Sequence, residues 1–429
     1  MREHARRRGD RKEEVSPVHD PYTFPPVNAV PLRRNRDFVL LQSGQLLSNV
    51  GTQITQIAYP LLVLALTHSP AKAGVVAFAR ALPLWIFALP GGLAADRFRR
   101  KRLMIAADMM RAAALAGLGV AVVTDHAAFW AIALVAFVEG TATTGFAGAS
   151  MGAIRAVVPK SQLPMATSVL TARLAVMRLA GPPLGGLMFG ITRSLPFFAD
   201  AASYVASTAS LATMRTPFEE ERERESAPML HSLVEGMRFL WSSAFLRTIV
   251  LIFTLAQFVL PGVTLALVVI GKRQGLSGGQ IGGLVAAFGV SLLLGSFIAP
   301  FTRRLLPTRA LIVLEFWTWA GCGLFLVWPS VYVLAGSMLP TALAIPTTDS
   351  VVWPYQLSLT PDRLIGRTQA AISSLTNATA ALGPLAAGFL LANLSERATI
   401  GIFAASGLAM AVWGTLSPAI RAAPTLEEL

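Results

Sequence analysis

Long apolar segments separated by short charged loops run from about residue 38 to residue 420. Most contain roughly 20 mainly apolar residues, the length that an α-helix needs to cross the hydrocarbon core of a bilayer. Of the 429 residues, 54% are hydrophobic and 14% are charged, whereas soluble domains have about a quarter charged residues. The sequence therefore predicts an all-α membrane protein that crosses the bilayer many times.

Hydropathy predicts twelve transmembrane helices in two sets of six. The first set, within 38–214, lies at about 38–66, 72–95, 103–124, 127–150, 165–191 and 195–214. The second set, within 245–420, lies at about 245–271, 279–302, 308–328, 330–353, 367–393 and 398–420. Residues 215–244 form a linker whose stretch LHSLVEGMRFLW has apolar residues at three- and four-residue spacing, which predicts an amphipathic helix on the membrane surface.

The loop charges predict how the chain is oriented in the membrane. The loop GGLAADRFRRKR, between the second and third segments, has five basic residues and one acid. Most other loop Lys and Arg fall on the same side, and the opposite side has only Lys72, Arg193, Lys272, Arg273 and Arg397. By the positive-inside rule, the basic side is cytoplasmic. We expect both termini there, as a disordered basic tail over 1–37 and a short tail over 421–429.

Several functions are disfavoured by composition and motifs. The net charge of +13 is spread over loops, so topology and membrane lipid explain it better than nucleic acid does. No G-x-x-x-x-G-K-[ST] motif or nucleophilic triad is visible, and the single cysteine, Cys322, cannot form an internal disulfide. We predict a monomer that is not an enzyme and uses no cofactor or metal.

The two halves contain a sequence repeat. Pro159 precedes Gly181-Pro182 by the same spacing that separates Pro361 from Gly383-Pro384. Two parallel six-helix halves place a substrate site between them, near the bilayer midplane.

The loop and the glycine pattern resemble the major facilitator superfamily. Gly92, Asp96-Arg97 and Arg100-Lys101 match its signature between the second and third helices, with Arg99 where a glycine is usual. LMIAADMMRA and LTPDRLIGRTQAA resemble the branch of the bacterial enterobactin exporter and macrolide efflux proteins. The resemblance implies two pseudo-symmetric six-helix bundles.

The resemblance also implies gating positions. Gly181-Pro182 and Gly185-Gly186 match the Gly-Pro motif of antiporters. In the family, the loop acid, here Asp96, meets the N-terminal end of the eleventh helix, near Gly366-Arg367, and latches the halves on the cytoplasmic side. The Arg-before-Gly motif of the fourth helix is absent, because Ala136 holds its arginine position.

Five amides in the first segment form the best candidate for substrate binding. Their spacing places all of them on one helix face, which cannot face lipid without leaving buried polar groups unpaired. They either line the central cavity or pack between helices. The amides are Gln42, Gln45, Asn49, Gln53 and Gln56, with Gln257 and Asn377 as weaker counterparts in the second half.

Ionisable side chains within apolar segments are candidates for proton coupling. Glu139 and Arg178 lie near the midplane and can meet there, so we hypothesise that Glu139 binds the driving proton under the influence of Arg178 or Arg80. The alternative is a static ion pair. Asp108 and Arg111 are interpreted as an intrahelical pair. Arg173, Asp200, Glu315 and Asp349 are interpreted as groups at helix ends that snorkel or cap.

Together, these features predict a secondary transporter of the bacterial plasma membrane. The resemblance implies proton-coupled export, and we expect the substrate to be a small amphipathic compound, an antibiotic or a siderophore, moved by alternating access. The alternatives are uptake, lysophospholipid transport on the same fold, or a membrane receptor or assembly factor without transport.

Overall fold

The computed structural model describes residues 31–87, 99–216, 218 and 229–421. Within these ranges the chain forms helices and no strand, as the sequence predicts. The first half contains α1 (Arg36–Thr67), α2 (Pro70–Ile86), α3 (Arg100–Val123), α4 (Phe129–Val157), α5 (Leu163–Ile191) and α6 (Leu195–Thr213). The linker contains α7 (Met229–Ser242). The second half contains α8 (Ala244–Arg273), α9 (Gly278–Leu305), α10 (Thr308–Trp319, continued by a 3-10 helix to Leu326), α11 (Val331–Ser358), α12 (Ile365–Asn393), α13 (Glu396–Leu416) and α14 (Pro418–Arg421).

Ten helical stretches in the described ranges are long and apolar enough to cross a membrane. Helices α2 and α6 coincide with predicted segments but are not among these ten. The two-set arrangement of helices therefore agrees with the sequence, whereas the count of twelve spans stays a prediction.

Local sequence signals explain where several helices begin. The side chain of Asn35 accepts a hydrogen bond from the backbone N–H of Phe38 at the start of α1. Ser277 and Gln280 exchange side-chain and backbone hydrogen bonds at the start of α9, in the arrangement called a capping box. These caps satisfy N–H groups that a helix cannot pair internally.

The two halves pack closely at one end of the molecule, which we name the closed end: α1 and α5 end there, and α2 and α9 begin there. A methyl group on Gly74 of α2 would lie 2.7 Å from the carbonyl oxygen of Pro384 in α12. On the other side of the molecule, a methyl group on Gly186 of α5 would clash with the carbonyl oxygen of Gly278 in α9. Glycine thus allows backbone-to-backbone contact across both inter-half seams.

At the opposite end, which we name the open end, the halves separate. Along the α5–α9 seam, a methyl on Gly282 would still clash with the carbonyl oxygen of Pro182, but one on Gly289 would lie 3.1 Å from that of Arg178. The apolar packing follows the same trend. The core cluster that contains residues of both halves includes the closed-end residues Leu62, Ala73 and Ile270, and within the second half it continues toward the open end as far as Ile420. The other open-end clusters belong to the first half alone or to α7 and the second half.

The linker helix α7 packs against the protein more than the sequence suggests. Leu240 is buried in a cluster with Leu246 of α8 and Ala371 of α12, and Leu233 and Met237 pack against that cluster. Its apolar face therefore covers the open-end start of α12. Val234 and Trp241 stay exposed on the remaining surface.

Candidate functional site

A cavity lies at the open end, in the second half. It has a volume of about 680 Å³ and lies between the open-end portions of α8, α11 and α12. A cavity of this size matches drug-sized ligands, which occupy about 300–1,000 Å³. Its lining combines aromatic, amide, hydroxyl and carboxylate groups: Val250, Phe253, Gln257, Asp349, Ser350, Val352, Trp353, Pro354, Gln356, Ile372 and Thr376.

Of the two residues predicted to bind substrate in the second half, one lines this cavity and the other does not. Gln257 lines it, and its role in substrate binding stays a prediction. Asn377 is half-buried beside Thr376, and Thr376 is the neighbour that reaches the lining. Asp349 also lies on the lining rather than at a basic loop, and the charge of Arg178 on α5 acts on it from the other half.

The five amides of α1 differ in burial and in the residues that they contact. Gln42 and Gln45 are buried, and their side-chain oxygens both accept hydrogen bonds from Nη1 of Arg173, at 2.9 and 2.5 Å. Nε2 of Gln45 also donates to Oγ of Ser150 on α4, at 3.0 Å. Arg173 is therefore held between helices by amides and does not snorkel at a helix end.

The other three amides differ in exposure. Gln53 packs against Gly181 of α5, where a methyl group would clash with its Cβ. Asn49 is half-buried and Gln56 is exposed. The contacts of Gln42, Gln45 and Gln53 support inter-helix packing, which is one of the two interpretations of this helix face.

Glu139 is fully buried and pairs with Arg80 of α2. Nε and Nη2 of Arg80 donate to the same carboxylate oxygen, at 3.2 and 2.8 Å, and Nη2 also reaches the carbonyl oxygen of Thr52 at 3.4 Å. The guanidinium lies 5.9 Å from the ring centroid of Tyr59. This arrangement ties α1, α2 and α4 together.

The predicted meeting of Glu139 with Arg178 is wrong for this structure. Among the described residues, the ion pair of Glu139 is with Arg80, whereas Arg178 is exposed on α5 and faces α9. Midplane depth alone suggested the contact, but depth does not specify which side of a helix a residue occupies.

The predicted pair of Asp108 and Arg111 within α3 is confirmed. Both side chains are buried and in ion-pair contact. The Arg111 guanidinium also lies 4.3 Å from the ring centroid of Tyr204 and 4.8 Å from that of Phe146. Arg111 is thus enclosed by a carboxylate and two aromatic faces, which are favourable partners for a guanidinium.

The sequence interpretation of Asp200 was a group near a helix end that snorkels or caps. Asp200 is the sixth residue of α6, but its side chain is fully buried in the first half. Oδ2 accepts a hydrogen bond from Oγ1 of Thr55 at 2.7 Å, and Oδ1 accepts one from Oγ of Ser203 at 3.1 Å. The i, i+3 spacing of Asp200 and Ser203 was a visible signal, but the partner on α1 was not.

Glu315 of α10 is a second carboxylate that the sequence placed at a helix end. It is buried, and Nε1 of Trp319 donates to it at 3.4 Å. It also interacts with Thr348, the neighbour of Asp349 on α11. The second half thus has a buried carboxylate directly behind a cavity carboxylate.

The basic pair of the signature loop contacts its own half. Nζ of Lys101 donates to the carbonyl oxygens of Met214, at 2.7 Å, and Ala212, at 3.2 Å. A cation at the C-terminal end of a helix, here α6, is electrostatically favourable. Nη1 of Arg100 donates to the carbonyl oxygen of Phe218 at 3.3 Å. The other predicted loop residues, Gly92, Asp96 and Arg97, lie outside the described residues.

The predicted Gly-Pro gating residues lie where α5 meets two other helices. A methyl group on Gly185 would come 2.9 Å from Cα of Ile54 on α1. The carbonyl oxygen of Pro182 and the backbone of Gly186 contact α9. These residues place α5 between α1 and the opposite half.

Comparisons with known proteins agree with this architecture. Residues 28–427 match the sequence profile of the transmembrane secretion effector family. The chain is 27% identical over 223 residues to the multidrug efflux pump Tap of Mycolicibacterium fortuitum, covering 50% of this chain and 54% of that protein. It is 25% identical over 227 residues to macrolide efflux protein A of Streptococcus pyogenes, covering 52% and 55%. The matched region thus spans about half the length of these curated relatives.

A solved structure supports the fold independently. The nucleoside transporter NupG superposes with a TM-score of 0.69 over 91% of this chain and 100% of that chain, at 12% identity. At such low identity the likeness concerns the fold alone. The profile match over residues 28–427 shows that the chain belongs to the transmembrane secretion effector family of the major facilitator superfamily.

Proposed function

We propose that this protein is a secondary transporter that exports small amphipathic compounds by alternating access, in exchange for protons. One observation carries the proposal: the halves are in backbone contact at the closed end and separate at the open end, where a drug-sized cavity lies in the second half. Rocking of the halves about this seam would expose the cavity to either side in turn.

The cavity chemistry supports an amphipathic substrate. Phe253 and Trp353 offer aromatic surface, and Gln257, Asp349 and Gln356 offer polar groups that can fix an orientation. The names of the relatives, a multidrug efflux pump and a macrolide efflux protein, point to an antibiotic-like compound rather than a siderophore.

The loop charges support the direction of access. Most of the basic loop residues that the structure describes lie at the open end, so the positive-inside rule makes that end cytoplasmic and the closed end external. Both termini are then cytoplasmic, in a bacterial plasma membrane, and this conformation is inward-open. We further propose a monomer, with Asp96 latching the halves when the inner side closes.

The test is transport into everted membrane vesicles that contain the protein. A macrolide (erythromycin), a catecholate siderophore and a lysophospholipid are supplied separately, with and without an imposed proton gradient. We expect gradient-dependent accumulation of the macrolide above that in vesicles without the protein. Accumulation of the lysophospholipid alone would support the lipid-transport alternative, uptake in right-side-out vesicles would support import, and no transport of any compound would support a receptor or assembly role.

A further inference from the structure

The first half contains a buried cluster with more acids than bases, which we name the acidic cluster: Arg80, Asp108, Arg111, Glu139 and Asp200. Each of its three carboxylates is fully buried, and Arg111 is nearly so. Arg80 pairs with Glu139, and Arg111 pairs with Asp108. With every group ionised, one negative charge is left over. A net charge in a low-dielectric core costs several kcal/mol, and one bound proton removes it.

The contacts point to Asp200 as the place for that proton. In the part of the chain that the structure describes, no Lys or Arg nitrogen forms an ion pair with its carboxylate. Its partners are the hydroxyl groups of Thr55 and Ser203. Glu139 and Asp108 are each in direct contact with a guanidinium, which favours their charged forms.

Other ionisable groups surround Asp200 from every neighbouring helix. Tyr59 of α1, Arg80 of α2, Arg111 of α3, Glu139 of α4 and Tyr204 of α6 each interact with it electrostatically. Asp108 lies beside Arg111, so its charge offsets that of this cation. The two arginines are thus each already engaged by another acid.

The two hydroxyl partners can accommodate either protonation state of Asp200. Oγ1 of Thr55 lies 3.1 Å from the carbonyl oxygen of Thr52 and 3.3 Å from that of Gly51, so both are alternative acceptors for its proton. Oγ of Ser203 likewise lies 2.7 Å from the carbonyl oxygen of Asp200. Each hydroxyl can donate to the carboxylate, or turn its proton to the backbone and accept from the protonated carboxyl.

Asp200 also contacts the helix that leads to the closed end. A methyl group on Gly51 of α1 would clash with Oδ1 of Asp200 and with Oγ of Ser203. Further along α1, Ile54 packs against Gly185 of α5, whose neighbour Gly186 is in contact with α9. A continuous set of backbone contacts therefore joins the carboxylate to the inter-half seam.

We propose that Asp200 is a proton-binding site, and that its proton is the one exchanged for substrate. The proton leaves the Asp200 carboxyl for solvent, and the resulting carboxylate takes hydrogen bonds from Thr55 and Ser203. The second part of this proposal rests on the proposed proton-coupled transport, whereas the first part does not.

Infrared spectroscopy of the purified full-length protein tests the proton site without any substrate. Protonated carboxyls absorb separately from carboxylates, and difference spectra between acid and alkaline buffer show which groups titrate. We expect Asp200→Asn to remove one protonated-carboxyl band of the wild type, and Glu315→Gln, at a buried carboxyl of the second half outside the acidic cluster, to keep that band. A spectrum of Asp200→Asn that retains every such band would overturn the assignment, as would loss of that band in Glu315→Gln alone.

Conservative variants keep the test decisive if Asp200→Asn does not fold. Thr55→Val and Ser203→Ala each remove one hydroxyl partner and leave the carboxyl in place. Each should shift the frequency of the Asp200 band, because the carbonyl stretch of a carboxyl responds to its hydrogen bonds. Thr213→Val on α6, which removes a hydroxyl bonded only to its own helix, is the matched control. A band that is unchanged in both Thr55→Val and Ser203→Ala would contradict the proposal.

Proteoliposomes test the coupling, with erythromycin as the probe. Asp200→Asn should retain exchange of internal for external erythromycin but lose at least tenfold of the accumulation driven by a proton gradient. Gradient-driven accumulation that survives in the variant would overturn the coupling role. If the wild type itself accumulates erythromycin independently of the gradient, the proposed function fails, and the infrared result still decides whether Asp200 binds a proton.

Discussion

The two halves share an architecture but treat buried charge differently. In the first half, Arg80 and Arg111 each pair with a carboxylate inside the helix bundle. In the second half, the carboxylates of Glu315 and Asp349 are not in ion-pair contact with any described cation, and Asp349 opens into the cavity. Under the proposed function, the first half would bind the proton and the second half would present a charge to the substrate.

The largest expected effect tests the first half. Arg80→Leu leaves the buried Glu139 carboxylate without its cation, which costs about 3–5 kcal/mol. We expect a large fall in the midpoint of thermal unfolding in detergent, together with poor yield of folded protein. Arg178→Leu, at an exposed position on α5, is the matched control and should unfold close to the wild type.

A double variant separates pairing from other roles of Arg80. Arg80→Leu combined with Glu139→Leu removes both charges, so most of the lost stability should return. If the double variant were as unstable as Arg80→Leu alone, the loss of stability would come from lost packing and not from the unpaired carboxylate.

The sequence predicted the helices better than it predicted their contacts. The length of an apolar segment and the charge of a loop can each be read from one segment alone. Ten of the twelve predicted spans and the two-set arrangement were therefore predictable from the sequence. The Asp108–Arg111 pair was also visible, since i, i+3 partners share a helix face. Arg80–Glu139, Thr55–Asp200 and Arg173 with Gln42 join different helices, and no spacing within one segment specifies such partners.

The next effect concerns the closed-end seam between α5 and α9, which must open when the two halves rock. Gly186→Ala places a methyl group against the carbonyl oxygen of Gly278, and such overpacking costs about 1–3 kcal/mol. The closed-end contact should therefore become rarer by roughly 5- to 150-fold. Gly190→Ala, on the same helix with open space around it, is the control.

Two measurements report the shift: transport, and the reactivity of a cysteine introduced near the closed end in a Cys322→Ser background. Equal behaviour of the two variants would mean that this seam does not limit the conformational cycle.

A smaller effect tests the second half. Asp349→Asn removes a cavity carboxylate and should weaken binding of a cationic dye such as ethidium, but not that of a neutral compound. Because Asp349 is exposed to the cavity, we expect a loss of about 0.5–1 kcal/mol, or roughly two- to fivefold in the apparent Michaelis constant. Ser350→Ala is a neutral substitution on the same lining and serves as the control. Equal loss for charged and neutral compounds would show that Asp349 shapes the cavity and does not select by charge.

The smallest effect concerns the contact between the linker and the second half. Glu235 of α7 pairs with Arg367 at the start of α12, and both side chains are about one-third exposed. Surface pairs of this kind contribute about 0–1 kcal/mol. Glu235→Gln should therefore leave the unfolding midpoint of the whole protein almost unchanged.

Its local consequence is measurable by hydrogen exchange in α7. Loss of the pair should moderately speed exchange of the α7 amides, because Leu233, Met237 and Leu240 still hold the helix on α8 and α12. Leu240→Ala removes the buried apolar contact instead and should speed the exchange much more. If Glu235→Gln had the larger effect, the ion pair and not the apolar face would hold α7 in place. The contact of α7 would then depend on paired charges, as the packing of the first half does.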